Sequence, residues 1–206
     1  EVAYLEKLHR ELENGKTARL VTSDPPEEKE FIDSLGLLTA KPILYAANVT
    51  EEDLVAPQDN EHVQKVKELA IKEGAEAFVI CAQIEQEISE LEEDEKLAFL
   101  TELGISNTGL DLLIAASYRL LGLISYLTAG PKEVRAWTIE RGTKAPGAAG
   151  KIHSDFERGF IRAEIVSFND LVAAGSHAAA KDKGLVRVEG KEYVVEDGDV
   201  ILFRFN

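Results

Sequence analysis

The chain has 206 residues, 45% hydrophobic and 30% charged, with 38 acidic against 23 basic side chains and a formal net charge of −15. That length suits one or two domains with real cores, and no apolar run approaches the roughly 20 residues a membrane-spanning helix requires. The negative charge excludes indiscriminate binding to nucleic acid, because phosphate attraction needs lysine and arginine in excess.

A single cysteine, Cys81, cannot form an internal disulfide, and the opening EVAYLEKLHRELENGK is a charged helical pattern rather than a secretion signal. A reducing, cytosolic compartment is therefore expected. His9, His62, His153 and His177 lie far apart with no cysteine pair beside them, so no structural metal is expected. The chain starts at Glu1 and holds no methionine, which predicts a fragment or a processed chain.

Val2, Leu5, Leu8 and Leu12 share one face of a helix that Asn14-Gly15 ends. The prolines of TSDPPEEKE break structure, and Ser23 or Asp24 is placed to cap a short helix through Leu35. PILYAANV is too short for a buried helix and predicts an interior parallel strand. Asp59 or Asn60 opens a helix with Val63, Val66, Leu69 and Ala70 inward and Gly74 at its close, and EAFVICA follows as a second buried strand. Strand, helix and strand make one right-handed βαβ unit of an open α/β sheet. The acidic EQEISELEEDEKLAFLTEL and then TGLDLLIAASYRLLGLISYL predict two helices, the second with Leu110, Leu113, Ile114, Leu120, Leu121 and Ile124 as one stripe.

Near Thr128-Ala129-Gly130-Pro131 the character changes. EVRAWTI, FIRAEIV, LVRVEGKEYVV and DVILFRF alternate as half-buried strands, with turn signals at Glu189-Gly190 and Asp197-Gly198. Helical stretches in PGAAGKIHSDFE and NDLVAAG complete a small α+β domain of β-grasp type. From Pro131 to Arg162 the charge also reverses: seven basic residues (Lys132, Arg135, Arg141, Lys144, Lys151, Arg158, Arg162) face four acidic ones (Glu133, Glu140, Asp155, Glu157). A polyanion partner should meet this stretch, although charge alone describes a mixed solvated face equally well.

Ligands of open α/β sheets gather beyond the carboxyl ends of the strands, where Asn48 stands. An asparagine both donates and accepts and so can pair with a purine edge, whereas a carboxylate only accepts. A strand-end turn at Asn48 and a plain helix start at Glu51-Glu52 account for the same pattern. APGAAGKI lacks the first glycine and the final hydroxyl of a phosphate loop, having Ala145 and Ile152 in their places. His153-Ser154-Asp155 are consecutive, so their side chains diverge and form turn or cap chemistry rather than a catalytic relay. Cys81 reads as a buried thiol.

LLTAKPILYAANVTEEDL, AWTIERGTKAPGAAGKIHSDFERGFIRAEIV and GKEYVVEDGDVILFRFN closely resemble the YchF/Obg-like ATPases, translation-associated relatives of the Obg GTPases. The resemblance implies the end of a helical coiled-coil arm and a connector over residues 1–35. It implies the C-terminal part of a P-loop NTPase G domain, an α/β remnant, over 36–121, and a TGS domain of ubiquitin-like α+β β-grasp fold over 122–206. Asn48-Val49-Thr50-Glu51 is similar to the family's N-x-x-E form of the base-recognition motif N-K-x-D, associated with ATP rather than GTP. By that resemblance Asn48 contacts adenine, the Val49 backbone lines the base pocket, and Glu51 replaces the guanine-reading aspartate. Cys81, Ala82 and Gln83 stand at the second base-side loop. The phosphate loop and switch regions are expected upstream of Glu1, so ATP and Mg belong to the complete protein. This chain alone is expected neither to bind ATP tightly nor to hydrolyse it.

Two functions compete at this level. In the first, the chain is part of a cytoplasmic, ribosome-associated ATPase whose TGS domain docks on the large subunit or its RNA through Arg135, Arg141, Lys144, Lys151, Arg158 and Arg162. Trp137 or Phe160 then serves as a stacking platform if exposed. In the second, the same domain binds a regulatory protein without touching RNA. Neither involves a membrane or specific DNA, and a self-contained small-molecule enzyme lacks a convincing nucleophile or acid/base pair.

Overall fold

The structure, a computed structural model, describes residues 1–21, 26–130 and 133–206. Two compact units divide it, Glu1–Leu120 and Leu121–Asn206.

The first unit begins with α1 (Val2–Glu13) and α2 (Pro26–Ser34). Leu8 and Ile32 are buried in a small cluster with Ala18 and Val21. The expected α1 face is largely open, because Val2, Leu5 and Leu12 stay exposed around Leu8. The caps expected at Ser23 or Asp24 lie outside the described residues.

β1 (Leu44–Asn48), α3 (Glu51–Val55), α4 (Glu61–Glu73) and β2 (Glu76–Ile80) follow. β1 and β2 pair in parallel, from Leu44 opposite Glu76 to Asn48 opposite Ile80. Asn60 caps α4 by accepting from the N–H groups of His62 and Val63, and Gly74 ends it at φ +66°, where a side chain would be strained. The strands were expected to be buried. They are half-buried or exposed, because each has one hydrogen-bonded neighbour in a two-stranded sheet. Leu69, expected inward on α4, is exposed.

The acidic stretch expected as one helix is two, α5 (Ala82–Ser89) and α6 (Glu93–Glu102). Glu92 and Glu95 form a reciprocal capping box that starts the second, and the run of carboxylates after Leu91 is favourable only at a helix N-terminus. α7 (Gly109–Leu120) likewise stops seven residues short of the expected end. Gly122 adopts φ +64°, and the chain beyond it leaves the helix as a strand. Ile124 is therefore a strand residue, and Leu110, Leu113, Ile114 and Leu121 of the expected stripe are exposed.

The second unit comprises β3 (Leu123–Ala129), β4 (Val134–Glu140), α8 (Ala145–Ile152), α9 (Ser154–Arg158), β5 (Phe160–Ser167), α10 (Phe168–Ala174), α11 (His177–Asp182), β6 (Arg187–Glu189) and β7 (Asp199–Phe205). Its five strands run in the order β4-β3-β7-β5-β6, with β3 and β7 parallel and the other pairs antiparallel. Of the strand residues expected over 185–195 around a turn at Glu189-Gly190, three remain before the turn as β6 and one isolated bridge, from Lys144 to Val194, follows it. α11 has no counterpart in the sequence reading; Ser176 caps it through the N–H of Ala179. One face of the sheet buries Ile124, Tyr126, Ile139, Ala163, Ile165, Ile201 and Phe203 with the alanines of α8. The hydroxyl of Tyr126 donates to the Ala148 carbonyl at 2.8 Å, and burial pushes its pKa up. On the other face Val166 and Val200 pack with Ala180 of α11 and Leu171 of α10.

Candidate functional site

Asn48 and Ile80 are register partners, so the two parallel strands end level with each other. The N–H of Val49 donates to the Ile80 carbonyl at 2.8 Å, which carries the pairing one residue past the strand. The side-chain Oδ1 of Asn48 then accepts from the N–H of Ala82 at 2.9 Å. One asparagine thus fastens the first loop to the second, and the structure brings Asn48, Val49, Cys81, Ala82 and Gln83 together. That bond uses one lone pair of Oδ1 and fixes which end of the amide faces the second loop, and the Nδ2 donors remain for a partner such as a purine ring nitrogen.

The N-terminus of α3 completes the first loop. Thr50 caps it, its Oγ1 accepting from the N–H of Asp53, and Glu51 stands exposed in the first turn. A carboxylate there is favoured by the helix dipole and remains open to an amino group of a ligand. Cys81 is buried beneath α5, whereas Ala82 and Gln83 are exposed; Gln83 Nε2 reaches Glu87 at 3.2 Å. Sequence reasoning missed Glu85. Its carboxylate accepts from the N–H of Gly109 at 2.6 Å and of Leu110 at 3.2 Å, which ties the helix behind the second loop to the start of α7. A side chain at Gly109 would collide with that carboxylate, with 2.9 Å to Oε1. The signal available was Thr-Gly-Leu-Asp, whose Thr108 and Asp111 also bond reciprocally as a helix start.

APGAAGKI is α8 itself, and Gly150 sits against Glu157, where a β-carbon would lie 3.0 Å from the carboxyl carbon. His153 Nδ1 accepts from the N–H of Asp155 at 3.2 Å and caps α9.

The six basic residues are all exposed but do not form one face. Arg135 stands on the α8 side of the sheet and stacks over Trp137, with 4.1 Å from guanidinium carbon to ring centroid. Lys144 pairs with Glu192 at 2.5 Å, and Arg158 with Asp155 at 3.1 Å. Arg141 follows β4, and Lys151 lies in the last turn of α8. Arg162 projects from the opposite face, between the buried Ala163 and the bulge after Phe160. Phe160 is buried in the core, which removes it as a stacking platform; Trp137 is half-buried and donates from Nε1 to Thr128 Oγ1 at 2.9 Å. Among the described residues, no cluster of three His, Cys, Asp or Glu side chains is arranged to hold a metal ion, and no helix is long and apolar enough to cross a membrane.

Comparison with known proteins gives these sites a context. The YchF-GTPase C-terminal family, described as a protein of unknown function (DUF933), matches residues 123–206. A Bacillus subtilis protein named ribosome-binding ATPase YchF is 58% identical over the whole chain, which covers 56% of that relative. Its Haemophilus influenzae namesake is 48% identical over the same extent. The solved structure of the Schizosaccharomyces pombe YchF GTPase is similar with a TM-score of 0.83 and 36% identity, over 98% of this chain and 53% of that one. This chain spans about half the length of the curated relatives it matches, 56% of the first, and its homology to the ribosome-binding ATPases named YchF runs over its full length, with the YchF-GTPase C-terminal family model on residues 123–206.

Proposed function

We propose that the chain supplies the base-reading loops and the ribosome-docking domain of a cytoplasmic, ribosome-associated ATPase. Residues 36–121 are then the C-terminal part of a G domain, preceded by the end of a coiled-coil arm, and residues 122–206 are a TGS domain of β-grasp type. The observation that carries this reading is the bond from Ala82 N–H to Asn48 Oδ1, which locks two loops at the carboxyl ends of parallel strands. Asn48 donates to the adenine ring, the Val49 backbone and Ala82-Gln83 flank it, and Glu51 accepts from the amino group. Adenine offers one amino donor beside an acceptor nitrogen, whereas guanine offers two adjacent donors. ATP with Mg supplies the phosphoryl group when bound; this chain's own residues bind and orient the base. The names of the relatives support the ribosome as partner.

The test replaces the matching segment of the full-length Bacillus subtilis relative with this sequence and measures ATP and GTP affinity. Preference for ATP is expected. Asn48→Ala should weaken both nucleotides about tenfold, the cost of roughly one hydrogen bond in a desolvated site. Glu51→Asp should shift preference towards GTP, and an unchanged ratio would remove Glu51 from base selection. Separately, the 206-residue chain should pellet with purified ribosomes and be released by salt. Salt-insensitive pelleting would favour an apolar protein interface instead.

A further inference from the structure

The open half of the second unit's sheet carries a cation cluster that the run of charge from Pro131 to Arg162 does not reveal. Arg162 on β5 and Arg204 on β7 are direct cross-strand partners, and their neighbours along the strands, Glu164 and Leu202, are partners in turn. All four therefore share one face. Like charges directly opposite repel, at side-chain spacings of about 5 Å. Glu164 offsets that repulsion: Oε1 receives Arg204 Nε at 3.0 Å and lies 3.9 Å from Arg162. The carboxylate is 12% exposed while the two guanidiniums are 50% and 55% exposed. Lys181 of α11 adds a third cation within electrostatic range of the same carboxylate. The anion lies underneath and the cations stand on top.

We infer that this face, Arg162, Arg204 and Lys181 over Glu164 with Leu202 and Val188 beside them, is a docking surface for a single-stranded RNA backbone. This rests on the docking reading above and moves its centre away from α8. The charge argument is specific to this place: the second unit as a whole is neutral, with twelve acidic and twelve basic side chains, yet this cluster is a net +2. Its cations come from two strands and a helix, so they lie across the strands rather than along one edge. An acidic peptide added along a strand edge would meet one of them at a time. A polynucleotide crossing the sheet meets all three, and its bases can lie on guanidinium planes and on the exposed aliphatic floor of Leu202 and Val188.

The probe is a fluorescent oligouridylate, measured by anisotropy against the 206-residue chain across a salt series. Three phosphate contacts predict a log–log salt slope near about −2, and Arg162→Gln with Arg204→Gln should flatten it by about 1.4. Glu164→Gln, which removes the half-buried anion, should tighten binding. Far-UV circular dichroism checks that each variant is folded. No binding at low salt, a slope indifferent to the double variant, or equal competition by polyglutamate would overturn the inference. If the double variant loses oligouridylate but still pellets with ribosomes as before, this face binds RNA and docking lies elsewhere. If neither ribosomes nor oligouridylate bind the unaltered chain, both readings fail.

Discussion

Residues 1–120 carry 26 acidic and 11 basic side chains, and residues 121–206 carry twelve of each. The packing is as uneven as the charge. In the second unit one cluster runs through a five-stranded sheet and under α8, joining Ile124, Tyr126, Ala148, Ile165 and Phe203. In the first, small separate clusters form around Leu8 and around Ile84, and Leu69, Ile71, Leu113 and Ile114 stay exposed. The contrast follows from the sheets. A mixed five-stranded sheet with helices on each face has interior strands to bury, whereas two parallel strands, a pairing normally covered on both faces, have none. The second unit therefore holds itself together, and the first displays surfaces.

Phe203→Ala should break this contrast most severely. Phe203 meets Tyr126 edge-on, with ring centroids 5.8 Å apart, and Phe160 at 6.2 Å. Truncating such a core aromatic costs about 3–5 kcal/mol. Trp137 is the sole tryptophan and belongs to the second unit, so its fluorescence in urea isolates that unit. Its midpoint should fall sharply while the helical circular dichroism contributed by the first unit melts as before. Equal displacement of both signals would mean that the units unfold as one.

The next largest effect tests a polar anchor. Asp199 is buried, and its Oδ2 accepts from the Tyr193 hydroxyl at 2.8 Å and from the Glu196 N–H at 2.9 Å. Burial first, and then the bond to Asp199, pushes the Tyr193 pKa up. Tyr193→Phe leaves a buried acceptor short of a donor and should cost about 1–3 kcal/mol in the same tryptophan transition. A neutral result would mean that Arg187, 3.6 Å from Oδ1, meets the need alone.

Glu164 sharpens the comparison through pH. The Arg204 side chain, donating to it, holds its carboxyl below the ordinary range. A folded-state pKa below the unfolded one gives stability that is complete above about pH 4.3 and lost as pH falls through the folded value. The tryptophan midpoint should therefore decline on the acid side less steeply in Glu164→Gln than in the unaltered chain. Identical acid limbs would mean that the guanidiniums do not hold the carboxylate. Both groups beside it are half-exposed, so the effect should be smaller than that of Tyr193→Phe.

Periodicity located most elements, because caps and glycines punctuate this chain: Asn60 and Gly74 bracket α4 where they were expected to. It failed where a local device outweighed the apolar pattern. Glu92 starts a second helix inside an acidic run, and Gly122 turns a continuing apolar stripe into a strand. Asn48 was legible as a strand-end residue, but its bond to Ala82, 34 positions away, depends on strand register. Arg204 was invisible as a partner of Arg162 for the same reason, since only antiparallel pairing makes residues 42 positions apart into neighbours. A linear charge count grouped Arg135 with Arg162, which the pleat sends to opposite faces.

The smallest expected effect probes the displayed surfaces of the first unit. Ile114 lies on α7, 49% exposed, with Leu110 and Leu113 exposed beside it. Helical spacing gathers these side chains on a shared side, where about half of their area stays in water within this unit. Ile114→Ser should change the unfolding free energy by less than about 0.5 kcal/mol, as surface substitutions do. It should also raise solubility, because it interrupts a contiguous apolar patch. A loss above about 1 kcal/mol, the scale of an isoleucine partly withdrawn from water, would mean that the stripe is covered in solution. The first unit would then share the second's way of holding together, and the division between a self-sufficient domain and a displaying one would fall.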